Sequence, residues 1–148
     1  MIVLDTDHVS ILQHRNSPHA ASLRQRIGSV KGEEVVTTVV TYEEQVRSWL
    51  SQIGRHSDVQ QQIPFYDRLV RFADFFADWE LLPFNQGAAD KFKQLRQRRV
   101  RISSTDLKIA SIVLVYDATL LSRNLDDFGK VPGLTVENWL PGTPERSE

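Results

Sequence analysis

Ile2-Val3-Leu4-Asp5-Thr6-Asp7-His8-Val9-Ser10-Ile11-Leu12 opens on three apolar residues, breaks at an Asp-Thr-Asp step and continues with Val9 and Leu12 on one helical side. A short apolar run handing over to a helical period predicts a buried strand that passes into a helix, with acids at the junction. The same handover recurs along the chain. Val35-Val36-Thr37-Thr38-Val39-Val40 is β-branched throughout, the composition of a buried strand. From Thr41 the period changes, with Val46, Trp49, Leu50 and Ile53 at helical spacing and Gly54 near the stop. Pro64 predicts a fresh helix start, after which Phe65, Leu69, Phe72, Phe76 and Trp79 form an aromatic-rich stripe. Residues 81–84 read as a short strand, 88–97 as a polar helix, and Ile109, Ala110, Ile112, Val113 and Tyr116 as an apolar helix face. Residues 118–121 add a strand, 131–134 a loop, and Thr135-Val136 a small edge strand. This alternation predicts an α/β domain, a central mostly parallel sheet with helices on both faces. Ligands of such sheets bind beyond the carboxyl ends of the strands.

The composition narrows the chemistry. At 148 residues, 41% hydrophobic and 25% charged, the chain is one ordinary globular domain, expected over 1–140 with a frayed tail at 141–148. Zero cysteines exclude disulfides, thiolate metal sites and cysteine nucleophiles. A net charge of −1 argues against gripping nucleic acid through overall positive charge, though not against a local basic patch. The N-terminus lacks the pattern of a signal peptide and the longest apolar run, 109–116, is far too short to span a bilayer, so a cytoplasmic protein without membrane attachment is expected.

Four acidic groups stand where a strand hands over to the next element: Asp5, with Asp7 beside it; Glu44, with Glu43 beside it; Asp106; and the pair Asp126-Asp127. Each has a purely structural explanation. Thr41-Tyr42-Glu43-Glu44 fits a capping box, Ser103-Ser104-Thr105-Asp106 nearly so, and first-turn acids complement a helix dipole. Together they say more. A parallel sheet gathers its strand ends at one edge, where converging carboxylates raise one another's pKa unless a cation intervenes. Carboxylate oxygens suit Mg²⁺ or Mn²⁺, and the scattered His8, His14, His19 and His56, read as solvated surface residues, make zinc a poor fit.

These pieces resemble a known family. The opening through Ser10 looks like that of PIN-domain ribonucleases, the fold of VapC-type toxins, where the Asp7 position more usually holds Asn. Thr41 through Glu44 resembles the family's Thr-x-x-Glu and so selects Glu44 over Glu43; Asp106-Leu107-Lys108-Ile109-Ala110 is similar to its Asp-x-x-Ile-Ala. Ser122 through Phe128 resembles Thr-x-Asn-x-x-Asp-Phe, with Ser122 for Thr and with Asp127 a closer match to the acid than Asp126. The resemblance implies a single PIN-like domain that hydrolyses RNA with Mg²⁺ or Mn²⁺. Asp5 and Asp106 would be direct metal ligands, and Glu44 and Asp127 would complete the catalytic ring directly or through water. Thr6, Asp7, Ser10, Ser104 and Asn124 would hold those carboxylates in place. It also implies an RNA substrate, an antitoxin protein as partner and a homodimer.

Two rivals use the same residues. Leu4-Asp5-Thr6-Asp7 also fits the start of a haloacid-dehalogenase-like phosphatase, with Asp5 as covalent nucleophile and Asp7 as general acid/base, but the expected Gly-Thr is replaced by His8-Val9. A non-catalytic interaction module would use the aromatic stripe with Trp49 and Leu50. Last, residues 91–101 contain no acid and six basic side chains, including Arg98, Arg99 and Arg101. The segment reads either as a solvated helix face or, since it leads into 103–106, as a phosphate-contacting surface for RNA.

Overall fold

The structure, a computed structural model, describes residues 1–14 and 16–140. The expected frayed tail therefore lies outside the described residues. Within them five strands form one sheet in the order β3-β2-β1-β4-β5, every neighbouring pair parallel. The strands are β1 (Ile2–Leu4), β2 (Val35–Thr38), β3 (Leu81–Leu82), β4 (Thr119–Leu121) and β5 (Thr135–Glu137). Seven helices connect and cover them: α1 (Thr6–Gln13), α2 (Pro18–Ser29), α3 (Val39–Gly54), α4 (Val59–Phe76), α5 (Gln86–Gln97), α6 (Ser104–Val115) and α7 (Leu125–Phe128).

Alternation along β1 assigns the two cores. Val3, with Val36, Leu82 and Leu120, faces the cluster built with Leu95 of α5 and Leu107, Ile109 and Ile112 of α6. Ile2 and Leu4, with Leu121, face Val9 of α1, Leu23 of α2, and Phe72 and Phe76 of α4. Successive side chains of a strand point to opposite faces, so a three-residue apolar strand feeds both layers at once. The aromatic stripe packs as its structural reading expects: Phe72 and Phe76 are buried against each other and against Tyr42 of α3, with ring centroids 4.8–5.3 Å apart.

Four readings of the sequence are corrected. The β2 strand stops at Thr38 rather than Val40, because the Thr38 hydroxyl caps α3 by accepting from the Thr41 N–H at 3.0 Å. Pro64 does not start a helix. Asp58 caps α4 by accepting from the Gln60 N–H, and Pro64 sits in the second turn. Helix α2 lies outside the elements expected from the sequence, although Ser17 and Pro18 provide its N-cap and first position. Finally, His8 is fully buried rather than solvated.

Candidate active site

In the strand order β3-β2-β1-β4-β5 the chain leaves β1 toward one edge and later enters β4 on its other side, so the crevice between the carboxyl ends of β1 and β4 is the switch point of the fold. Asp5 follows β1 and Ser122 follows β4. The Asp5 N–H donates to the Leu121 carbonyl at 2.9 Å, locking the two ends together. Asp5 is buried, its Oδ1 accepting from the Thr6 N–H at 2.7 Å and its Oδ2 from the Ser122 hydroxyl at 2.7 Å. Burial, then the charge of Asp7, pushes the Asp5 carboxyl up to about 7.

Every other acid of the expected ring is tied to Asp5 through two or three hydrogen bonds. Thr6 Oγ donates to Glu44 Oε1 at 3.0 Å. The Asn124 amide donates to both Asp106 Oδ2, at 3.3 Å, and Asp127 Oδ2, at 3.1 Å. The Asn124 N–H in turn donates to Ser122 Oγ at 3.0 Å. Burial raises Glu44 and Asp106, and negative neighbours push both further: Asp106 acts on Glu44, and Asp127 on Asp106. These carboxylates share one field.

The structural explanation for Glu44 falls away here. With α3 starting at Val39 and Thr38 as its cap, Glu44 sits in the second turn, not at the capping-box position. Its inward placement is not needed to finish the helix. Asp106 keeps both readings, since its N–H does donate to the Ser103 cap at 3.1 Å. Asp127 also accepts from Lys130 Nζ at 3.2 Å, whereas Asp126 is exposed.

Among the groups expected to support the acids, Thr6, Asp7 and Asn124 bond within the cluster. Ser10 instead accepts from Gln45, and Ser104 is exposed with no side-chain bond to these acids. Two further residues belong to the network. Ser122 bridges Asp5, Asp7 (3.4 Å) and Asn124. His8 holds Asp7 through Nδ1 at 2.6 Å, while its Nε2 accepts from the Trp139 N–H at 3.1 Å. A backbone N–H can only donate, so the ring proton resides on Nδ1. Burial opposes ionisation of Asp7, but hydrogen bonds from His8 and from the Arg123 N–H (2.8 Å) outweigh it and hold the carboxyl below its ordinary value.

The sequence matches the PIN domain over residues 2–134. The chain belongs to the PIN-domain family. The ribonuclease VapC2 of Rickettsia felis is 32% identical over 69 residues, which make up 44% of this chain and 52% of that protein, so the match spans about half of the relative's length. This PIN domain also superposes on solved structures. A VapBC2 structure from Rickettsia felis bound to promoter DNA gives a TM-score of 0.65 at 21% identity, covering 94% of this chain and 99% of that one. FitAcB from Neisseria gonorrhoeae gives 0.65 at 22% identity over 94% and 98%. VapBC-1 from nontypeable Haemophilus influenzae gives 0.66 at 19% over 94% and 98%. At these identities the likeness carries the fold, which is that of VapC-type PIN proteins.

Among the described residues no three acid or histidine side chains stand as a preformed cation cage. The donor set nonetheless suits a hard cation: all-oxygen, negative and mutually repelling, with unused lone pairs on Asp5 and Glu44. Mg²⁺ keeps much of its water and takes one or two carboxylates, so it does not require a closed cage.

Proposed function

We propose that this PIN domain hydrolyses RNA phosphodiesters with Mg²⁺ or Mn²⁺, and that a protein antitoxin restrains it. The observation that carries the reading is the set of carboxylates from β1, α3, α6 and α7, coupled through Thr6, Ser122 and Asn124 at the sheet's switch point. Asp5 and Asp106 would hold the cation, with Glu44 and Asp127 completing the ring. The bound cation would supply charge neutralisation at the scissile phosphate and an activated water. The chain's own groups do the positioning. Thr6 fixes Glu44, Ser122 fixes Asp5, and Asn124 spaces Asp106 from Asp127. A carboxylate with a raised pKa is a suitable acceptor for the proton of the attacking water. The phosphatase reading gains nothing from the structure, because it needs Asp7 to give up a proton, and Asp7 is held ionised.

For the substrate, the basic segment supports the reading. Arg96, Arg99 and Arg101 line a shallow concavity of about 640 Å³ together with Ser103 and Asp127, so these cations abut the acid cluster. Arg98 caps α5 and does not line that concavity. Arg99 is the left-handed residue of the turn after α5, at φ 60°, with the Val100 N–H returning to the Leu95 carbonyl at 3.1 Å. Glycine is the usual residue there, and a side chain in that conformation costs about 1–2 kcal/mol. An arginine at a strained turn favours a role for its charge. Arg99→Gly is therefore expected to raise stability by about 1 kcal/mol in chemical denaturation while weakening RNA binding. Replacing Arg96, Arg99 and Arg101 together by Gln should flatten the salt dependence, each lost phosphate contact lowering the log–log slope by about 0.7, and leave the thermal shift caused by Mn²⁺ unchanged. If affinity and slope stay intact, the RNA lies elsewhere.

For the partner, the structurally similar VapBC proteins, and a toxin–antitoxin complex from Klebsiella pneumoniae, support an antitoxin. A groove of about 1850 Å³ between α1, α2, α3 and α4 is lined by Trp49, Phe72, Phe75 and Trp79 alongside Arg24 and Arg71, and it reaches Thr6 and Glu44. A segment lying in it with apolar and acidic side chains would cover the approach to the acids. RNA cleavage assayed with wild type and Asp5→Asn tests the catalytic core of the proposal.

A further inference from the structure

Helix α4 carries a second apolar stripe that its packing leaves uncovered. Val59, Ile63, Tyr66, Val70, Ala73 and Ala77 follow one another at steps of four, three, four, three and four. All six are exposed, Val59 at 75% and Val70 at 62%. A strict 3.5-residue apolar repeat is the seam of a helix that pairs with another helix. It spans roughly 27 Å at 1.5 Å per residue. At 100° per residue the seam is centred away from Phe72 and Phe75, which line the groove, and the groove's lining reaches the edge of the seam at Asp74.

The edges of the seam say what fits it. On one side Leu69 and Phe76 turn into the core, toward α3. On the other, Gln60, Asp67 and Asp74 repeat every seven residues, and neither Asp67 nor Asp74 is in an ion pair among the described residues. Two copies of this chain packed antiparallel along the seam would set Asp67 and Asp74 against themselves, since that arrangement brings like edges together. We propose that the outer face of α4 docks an amphipathic helix of a different protein, with an apolar heptad seam and Lys or Arg along the edge that meets Asp67 and Asp74. This surface does not depend on the nuclease reading.

The test uses the full chain and two synthetic three-heptad peptides with Leu at the seam positions, one with Lys and one with Glu along the facing edge. Fluorescence anisotropy should give about tenfold tighter binding for the Lys peptide, the size expected of two exposed ion pairs replacing two repulsions. Asp67→Lys with Asp74→Lys should reverse that preference. Val70→Glu should abolish binding of both peptides without lowering the melting temperature. Equal affinity for the two peptides, or binding retained by Val70→Glu, overturns the proposal. So does a wild-type dimer in sedimentation that Val70→Glu dissociates, since the second copy would then own the seam.

Discussion

Asp5→Asn is expected to cut RNA cleavage by roughly 10³-fold while leaving the metal-free protein at least as stable as wild type above pH 7. The two effects share one cause. In the folded chain the Asp5 carboxyl titrates at about 7, chiefly through burial, against 3.8 for the free group. Between about pH 4 and 7 the unfolded chain has released this proton and the folded chain still holds it, so this group's contribution to folding weakens as pH rises through that window and is flat above it. Asn resembles the protonated acid, accepting from the Thr6 N–H and donating toward Ser122 Oγ. The stability difference, variant minus wild type, should therefore grow from pH 4 to 7 in EDTA and then level off. At 1.36 kcal/mol per unit its ceiling is about 4 kcal/mol, and about 1–3 kcal/mol is expected once imperfect hydrogen bonds are allowed for. Urea melts across that range check it. A variant less stable than wild type at pH 8 would mean that Asp5 is a structural anion and not one held for a cation.

Asp106→Asn should separate metal binding from folding. Its carboxyl accepts from Asn124, and the carbonyl oxygen of Asn can do the same, so the loop between β4 and α7 keeps its shape. What is lost is charge. The expected results are a weakening of Mn²⁺ affinity by about tenfold, read as a smaller metal-induced rise in melting temperature, and a fall in cleavage of roughly 10²-fold. An unchanged metal shift removes Asp106 from the proposed ligand set.

The sequence showed the acids more clearly than their supports, for a physical reason. Asp5 and Asp106 stand at junctions between an apolar run and a helical period, and such junctions are local. Ser122 reaches Asp5 across 117 positions and His8 receives the Trp139 N–H across 131, so nothing near either residue marks the contact. The β-branched run 35–40 misplaced the start of α3, because Val39 and Val40 favour a strand, while the Thr38 cap and the burial of Val40 in the core draw them into the helix. That shift of three residues made Glu44 look like a capping residue. Ser17-Pro18 is a local start signal for α2, a capping serine followed by proline in the first turn. On α4, the buried aromatic stripe masked the exposed heptad, since two apolar faces on one helix blur a single period.

If the carboxylates at the switch point cut RNA with a divalent cation, cleavage requires both the cation and Asp5. The direct measurement is digestion of total RNA by wild type and by Asp5→Asn, each with Mg²⁺ or Mn²⁺ and with EDTA. Fragments are expected from wild type with the cation and from no other combination. Equal fragmentation by Asp5→Asn, or a phosphorylated Asp5 trapped from a small phosphate ester by a chain that leaves RNA intact, would contradict this mechanism.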